Sequence, residues 1–133
     1  LKITNKVVKT AVEIKKGIKD KLELGNLDSY RDWGHSKDYT RAMIKIVNHD
    51  TPEDFIVATG KTYSVRDLCE VVFTKLGMDY NDYVVQNPKY MRPEELKYLK
   101  GDSQRTREIL GWEPEYTFET MLEEMIERWG REL

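Results

Sequence analysis

Glycine-rich phosphate loops are missing from this chain. Eight glycines occur in 133 residues, and none falls in a Gly-x-Gly-x-x-Gly or Gly-x-x-Gly-x-x-Gly arrangement. That excludes from these residues the turn that sets a dinucleotide's pyrophosphate on a helix N-terminus. No tyrosine is followed four residues later by lysine, so the Tyr-x-x-x-Lys pair that many dehydrogenases use for proton transfer is absent too. A single cysteine, Cys69, excludes an internal disulfide. One Cys and two His are too few for an ordinary zinc site, which needs three or four close ligands. No Ser-His-Asp set can be assembled. No apolar run reaches membrane-spanning length and no signal peptide is visible, so the expected location is cytoplasmic.

What remains is a globular composition of single-domain length, 39% hydrophobic and 35% charged. The formal net charge of −2 gives no general attraction to nucleic acid or an anionic membrane. The basic cluster Lys15, Lys16, Lys19 and Lys21 lies beside Glu13 and Asp20 and reads as a solvated face. Cys69, among Val65, Leu68, Val72 and Phe73, reads as a small buried apolar residue. The chain starts abruptly, with Leu rather than Met, inside a helical pattern, which suggests a fragment.

Hydrophobic periodicity predicts the elements. Val7, Ala11, Ile14 and Ile18 predict a helix over about 3–16. Leu22-Glu23-Leu24, closed by Gly25-Asn26, predicts a brief strand, and 26–36 a loop. Tyr39, Ala42, Met43, Ile46 and Val47 share one face of a helix from about Ser36 to Asn48. The apolar run Phe55–Thr59 predicts a strand buried on both faces, as in a parallel sheet. Ser64 and Asp67 form a capping box for a helix that Gly77 stops. Val84-Val85 is a short strand. Ser103 and Thr117 cap two further helices, the second carrying the stripe Phe118, Met121, Leu122, Met125, Ile126 and Trp129. Alternating helices and strands mean α/β, with too few strands for a complete doubly wound sheet.

Two arginines stand in unusual settings. Arg31 lies in Tyr30-Arg31-Asp32-Trp33-Gly34, and Arg92 in Pro88-Lys89-Tyr90-Met91-Arg92-Pro93-Glu94-Glu95. Guanidinium forks on loops stiffened by aromatics, Gly or Pro match phosphate oxygens in pairs, so two of them could hold a diphosphate. Glu95 could accept from ribose hydroxyls, and Asn26 could donate to a phosphate or approach a base. The alternative is structural: Arg31 paired with Asp32 or Asp38, and Arg92 with Glu94 or Glu95. Trp33 reads as loop packing, His35 as a hydrogen-bonded residue at a helix start, and Trp112 as a packing anchor.

The stretches LGNLDSYRDWGHSKDY, PEDFIVATGKTYSVRD, NPKYMRPEEL and LGWEP, in that order, resemble the C-terminal half of the GDP-mannose 4,6-dehydratases. These belong to the extended short-chain dehydrogenase/reductase superfamily. The resemblance covers essentially all 133 residues. It implies a helix-rich C-terminal part of an NAD(P)-binding Rossmann fold, with residues 36–60 belonging to the Rossmann sheet of the full enzyme. It implies an enzyme that uses NADP as an internal hydride carrier. That enzyme oxidises GDP-mannose at C4, eliminates water across C5–C6 and returns the hydride to C6. The product, GDP-4-keto-6-deoxymannose, is the precursor of GDP-fucose and GDP-rhamnose.

The family's catalytic and cofactor-binding residues match nothing in this chain, so the resemblance implies no bound cofactor and no activity for these residues alone. It does place substrate contacts. Lys2 would face the substrate, although Leu precedes it where the family usually has Arg. Leu24, Gly25 and Asn26 would line the guanosine diphosphate pocket. Arg31 would grip the diphosphate, and Tyr90, Arg92 and Glu95 would close over phosphate and ribose. The partners implied are a nucleotide-sugar and further copies of the chain, as a dimer or tetramer. The alternatives are a sister GDP-sugar reductase, a UDP-sugar epimerase or dehydratase, or a non-catalytic binding module.

Overall fold

Helix α1 (Lys2–Lys15) opens the structure. It holds five buried apolar residues, Val7, Val8, Ala11, Val12 and Ile14. Four of these are β-branched and intrinsically poor helix formers, so tertiary burial rather than propensity holds the helix. A computed structural model describes residues 2–91 and 102–133, without the side chain of Lys2. After α1 come β1 (Leu22–Leu24), β2 (Tyr30–Arg31), α2 (Ser36–Val47), β3 (Tyr63–Ser64) and α3 (Val65–Lys75). A short 3-10 turn (Tyr80–Asp82) leads to β4 (Val84–Gln86), and a second (Pro88–Tyr90) follows it. Helices α4 (Gln104–Leu110) and α5 (Phe118–Glu132) close the chain.

The strands form two separate pairs. β1 and β4 are parallel, Leu22 opposite Val84 and Leu24 opposite Gln86. β2 and β3 are antiparallel, Arg31 opposite Tyr63. Helices α1, α3 and α5 pack on one another, and α1 also packs on β1. Their shared core includes Val7, Leu22, Leu24, Leu68, Val72, Phe73 and Leu122. Cys69 is fully buried within it, as expected, and burial pushes its thiol up to about 12. That leaves almost no thiolate to react at neutral pH.

Two of the three caps expected from the sequence form. Ser64 and Asp67 exchange hydrogen bonds at the start of α3, and Thr117 and Thr120 do so at α5. Ser103 sits at the N-cap of α4, but its side chain makes no capping bond. Asp102 Oδ1 accepts from the Gln104 N–H instead.

Two expectations about strands need correction. Residues 26–36 are not all loop, because Tyr30 and Arg31 pair with β3. Phe55–Thr59 is not a strand: it has no ladder partner among the described residues, and Ile56 is 60% exposed. A strand buried on both faces needs a neighbour on each edge and cover above and below. Here side chains satisfy the backbone instead. Thr106 Oγ1 donates to the Ile56 carbonyl at 2.5 Å, Arg107 Nη2 to the Thr59 carbonyl at 2.7 Å, and the Thr59 N–H to Asp32 Oδ1 at 3.1 Å.

Candidate functional site

The two parallel strands β1 and β4 end side by side, and the chain beyond each makes a tight turn. Beyond β1, Asn26 Oδ1 accepts from the Asp28 N–H at 2.9 Å. This side-chain turn uses the amide's oxygen and leaves its NH2 as the group Asn26 can offer a ligand. Beyond β4, Asn87 Oδ1 accepts from the Lys89 N–H and caps the turn Pro88–Tyr90. The turns are tied together. The Asn87 N–H donates to the Leu24 carbonyl at 2.7 Å, and Gln86 Nε2 to the Gly25 carbonyl at 3.3 Å.

Gly25 is where they touch. A Cβ at this position would overlap the Tyr90 carbonyl group. Only a residue without a side chain lets the two backbones approach this closely. The resemblance assigned Leu24, Gly25, Asn26 and Tyr90 to the substrate; in the structure they lie at or just beyond the carboxyl ends of the parallel strands, with Gly25 against the Tyr90 backbone. In open α/β sheets, ligands bind beyond the carboxyl ends of parallel strands. The Leu24 side chain itself is buried in the core, so its carbonyl is the part that faces the turn.

Arg31 lies on β2, half-buried, and its Nη1 donates to the Tyr30 carbonyl at 2.7 Å. The two acids weighed as its partners are engaged elsewhere. Asp32 accepts from the Thr59 N–H and hydroxyl and from the Gly60 N–H. Asp38 accepts from Arg41 and from the Glu115 and Tyr116 N–H groups. Lys2 opens α1, with its side chain outside the description, and Arg92 and Glu95 lie outside the described residues altogether.

Sequence reasoning missed Lys6. Its ammonium stands 4.3 Å from the centroid of the Tyr90 ring, and that of Lys89 stands 4.9 Å from the same centroid. Lys6 sits on the exposed side of α1 and carries no local sign of this role.

The rest of the Arg-Asp-Trp-Gly-His stretch fastens the fold. Trp33 is buried and stacks against Phe118, with ring centroids 6.0 Å apart. A Cβ at Gly34 would stand 2.5 Å from Tyr39 Oη. His35 caps α2 through Nδ1, which accepts from the Lys37 N–H at 3.0 Å, and its Nε2 lies 2.8 Å from Glu124 Oε1. Trp33 also lines a separate cleft of about 300 Å³ with Tyr63, Arg107, Tyr116 and Phe118. None of the residues assigned to the substrate lines that cleft.

The family model described as GDP-mannose 4,6 dehydratase matches residues 2–125. The chain belongs to the GDP-mannose 4,6-dehydratase family. GDP-mannose 4,6 dehydratase 2 of Caenorhabditis elegans is 38% identical over 140 residues, which cover 93% of this chain and 37% of that protein. Among solved structures, RMD from Pseudomonas aeruginosa, complexed with NADPH, matches with a TM-score of 0.88. It is 22% identical and covers 98% of this chain and 43% of its own, so it speaks for the fold alone. The dTDP-glucose 4,6-dehydratase of Bacillus anthracis, in complex with NAD, matches with a TM-score of 0.75 at 25% identity, over 95% of this chain and 39% of its own. The chain thus spans about two fifths of the length of these relatives. Its fold is a partial Rossmann-type α/β domain of the extended short-chain dehydrogenase/reductase kind.

Among the described residues, β1 runs into the Asn26 turn and β4 into the Pro88 turn, and neither leads through a glycine-rich turn into a helix N-terminus. Among the described residues no helix is long and apolar enough to cross a membrane, and no group of acids, His and Cys could hold a metal ion.

Proposed function

We propose that this chain supplies the nucleotide-sugar-binding part of a GDP-mannose 4,6-dehydratase. The whole enzyme converts GDP-mannose to GDP-4-keto-6-deoxymannose in the cytoplasm, with NADP held by residues other than these. The observation that carries the reading is the meeting of Gly25 with the Tyr90 turn at the carboxyl ends of β1 and β4. It joins Gly25 and Tyr90, both assigned to substrate by the resemblance, at one place. Asn26 and Tyr90 meet the nucleoside diphosphate there. Lys2, Arg31, Arg92 and Glu95 complete the contacts to diphosphate and ribose.

Residues 36–60 belong, on this reading, to the Rossmann sheet of the whole enzyme. The bare apolar side chains of α2 support it. Met43, Ile44 and Val47 are 59%, 56% and 79% exposed, a surface that asks for cover. The assembled enzyme is a dimer or tetramer.

Calorimetric titration with GDP and with UDP tests the proposal, repeated on Arg31→Ala and Arg92→Ala. GDP is expected to bind more tightly than UDP, and both variants to lose it. Preference for UDP would favour an epimerase or a UDP-sugar dehydratase. A folded chain that binds neither nucleotide would remove the assignment of this site.

A further inference from the structure

Two lysines converge on Tyr90 from different parts of the chain. Lys6 arrives from the second turn of α1, and Lys89 precedes Tyr90 in its own 3-10 turn. Their distances to one ring centroid place the two ammoniums no farther apart than about 10 Å, the screening length at 0.1 M salt. Among the described residues neither has a carboxylate within ion-pair distance, although Lys19, Lys21 and Lys75 each have one. The electron-rich ring face attracts each cation but does not neutralise it. Tyr90, Lys6 and Lys89 are all exposed, so the charges face solvent.

The placement is held from below. The Asn87 N–H bond to the Leu24 carbonyl fixes the root of the turn, and the contact with Gly25 fixes Tyr90 itself. Two neighbouring cations held on a fixed platform repel each other. An oligoanion laid across both relieves that repulsion and gains from each.

We propose that Lys6 and Lys89, carried on the Tyr90 ring, form a paired cationic contact for the diphosphate of the nucleotide ligand. The inference rests on the reading of this place as a nucleotide-sugar site and adds to it two residues. Lys6 supplies charge from α1, and Tyr90 acts as the platform that positions both lysines.

The test titrates the chain with GDP, guanosine and inorganic pyrophosphate at two salt concentrations, for the parent and for Lys6→Met, Lys89→Met and Lys6→Arg. Each Met variant is expected to weaken GDP and pyrophosphate by roughly three- to fivefold and to flatten the salt dependence. Guanosine binding should not change, which separates a charge contact from a merely structural role. Lys6→Arg, which keeps a cation over the ring, should restore affinity. GDP binding unaltered in both Met variants would overturn this inference and leave the nucleotide reading intact. Pyrophosphate binding that depends on the lysines, with no preference for GDP over UDP, would keep the inference and remove the guanine assignment. Binding of neither anion would overturn both.

Discussion

The indole N–H of Trp112 donates to the main-chain carbonyl of Asp38 at 2.8 Å, across 74 residues of sequence. The carboxylate of the same aspartate accepts from the Glu115 and Tyr116 N–H groups at 2.9 and 3.1 Å and from Arg41 Nη2 at 3.0 Å. Asp38 is 2% exposed, so these bonds form out of water. One residue thus fastens α2 to the Leu-Gly-Trp-Glu-Pro turn ahead of α5. Asp38→Ala keeps the carbonyl that Trp112 uses but leaves Arg41 and the Glu115 and Tyr116 N–H groups without their acceptor, and is expected to destabilise the chain by about 3 kcal/mol. Asp38→Asn keeps the shape but turns an NH2 toward a donor, and should cost about half as much. Urea denaturation compares the three chains, and a loss below about 1 kcal/mol for Asp38→Ala would contradict the clamp.

Gly25 gives a sharper steric test. The atoms that a Cβ would overlap belong to the Tyr90 backbone, not to the free end of a side chain, so Gly25→Ala must push the Pro88–Tyr90 turn away from β1. The expected cost is about 1–3 kcal/mol of stability, as for other overpacked positions. A fall in GDP affinity should accompany it, because Asn26 and Tyr90 no longer hold their relative position. Chemical denaturation and titration of one preparation check both effects. Stability and binding that both match the parent would show that the turn is not pinned there.

Acid sensitivity follows from two carboxylates. The hydrogen bond with His35 is the main cause that holds Glu124 below its ordinary value near 4.5, with the Tyr116 hydroxyl assisting and partial burial opposing. The Arg105 guanidinium, and after it His49, holds Glu53 down in the same way. A carboxyl depressed in the folded state binds its proton more readily when unfolded. Its contribution is complete above the unfolded value and lost as pH falls through the folded one. Melting temperature should therefore decline as pH drops below about 4.5, and Glu124→Gln should flatten part of that decline. A melting curve series from neutral to acid pH reads the difference between the two chains. Equal slopes would mean that the His35–Glu124 contact contributes nothing in solution.

What the sequence made legible was chiefly local. The capping box at Ser64, the cap at Thr117 and the stripe of α5 need only neighbouring residues to be read. The order of Phe55–Thr59 was not legible, because an apolar β-branched run becomes a strand only where a partner edge exists, and side chains of α4 take that place. The pair β2–β3 was hidden for the converse reason: two residues with turn chemistry pair only because β3 lies alongside. Half of the site could be assembled from motif resemblance, since Gly25, Asn26 and Tyr90 sit in recognisable stretches. Lys6 could not, because an exposed lysine on a helix looks like any other until the distant Tyr90 ring is folded beneath it. Asp38 was weighed as a partner for Arg31, yet its acceptors face backbone N–H groups that no sequence pattern marks.

The outer face of α2 predicts how the chain behaves at high concentration. Ala42 and Asp38 face inward, and Met43, Ile44 and Val47 face out, with Ile56 also 60% exposed. Bare aliphatic side chains of this extent gain by contact with any similar surface, at roughly 25 cal/mol per Å² removed from water. The chain is expected to self-associate through this face. Val47→Glu and Ile44→Lys should shift it toward monomer in sedimentation velocity while leaving the melting temperature of dilute samples unchanged, because neither side chain belongs to the core. A parent chain that stays monomeric at all concentrations, with one sharp and concentration-independent melt, would mean that this face needs no cover. The proposal that residues 36–60 belong to a larger sheet would then lose its support.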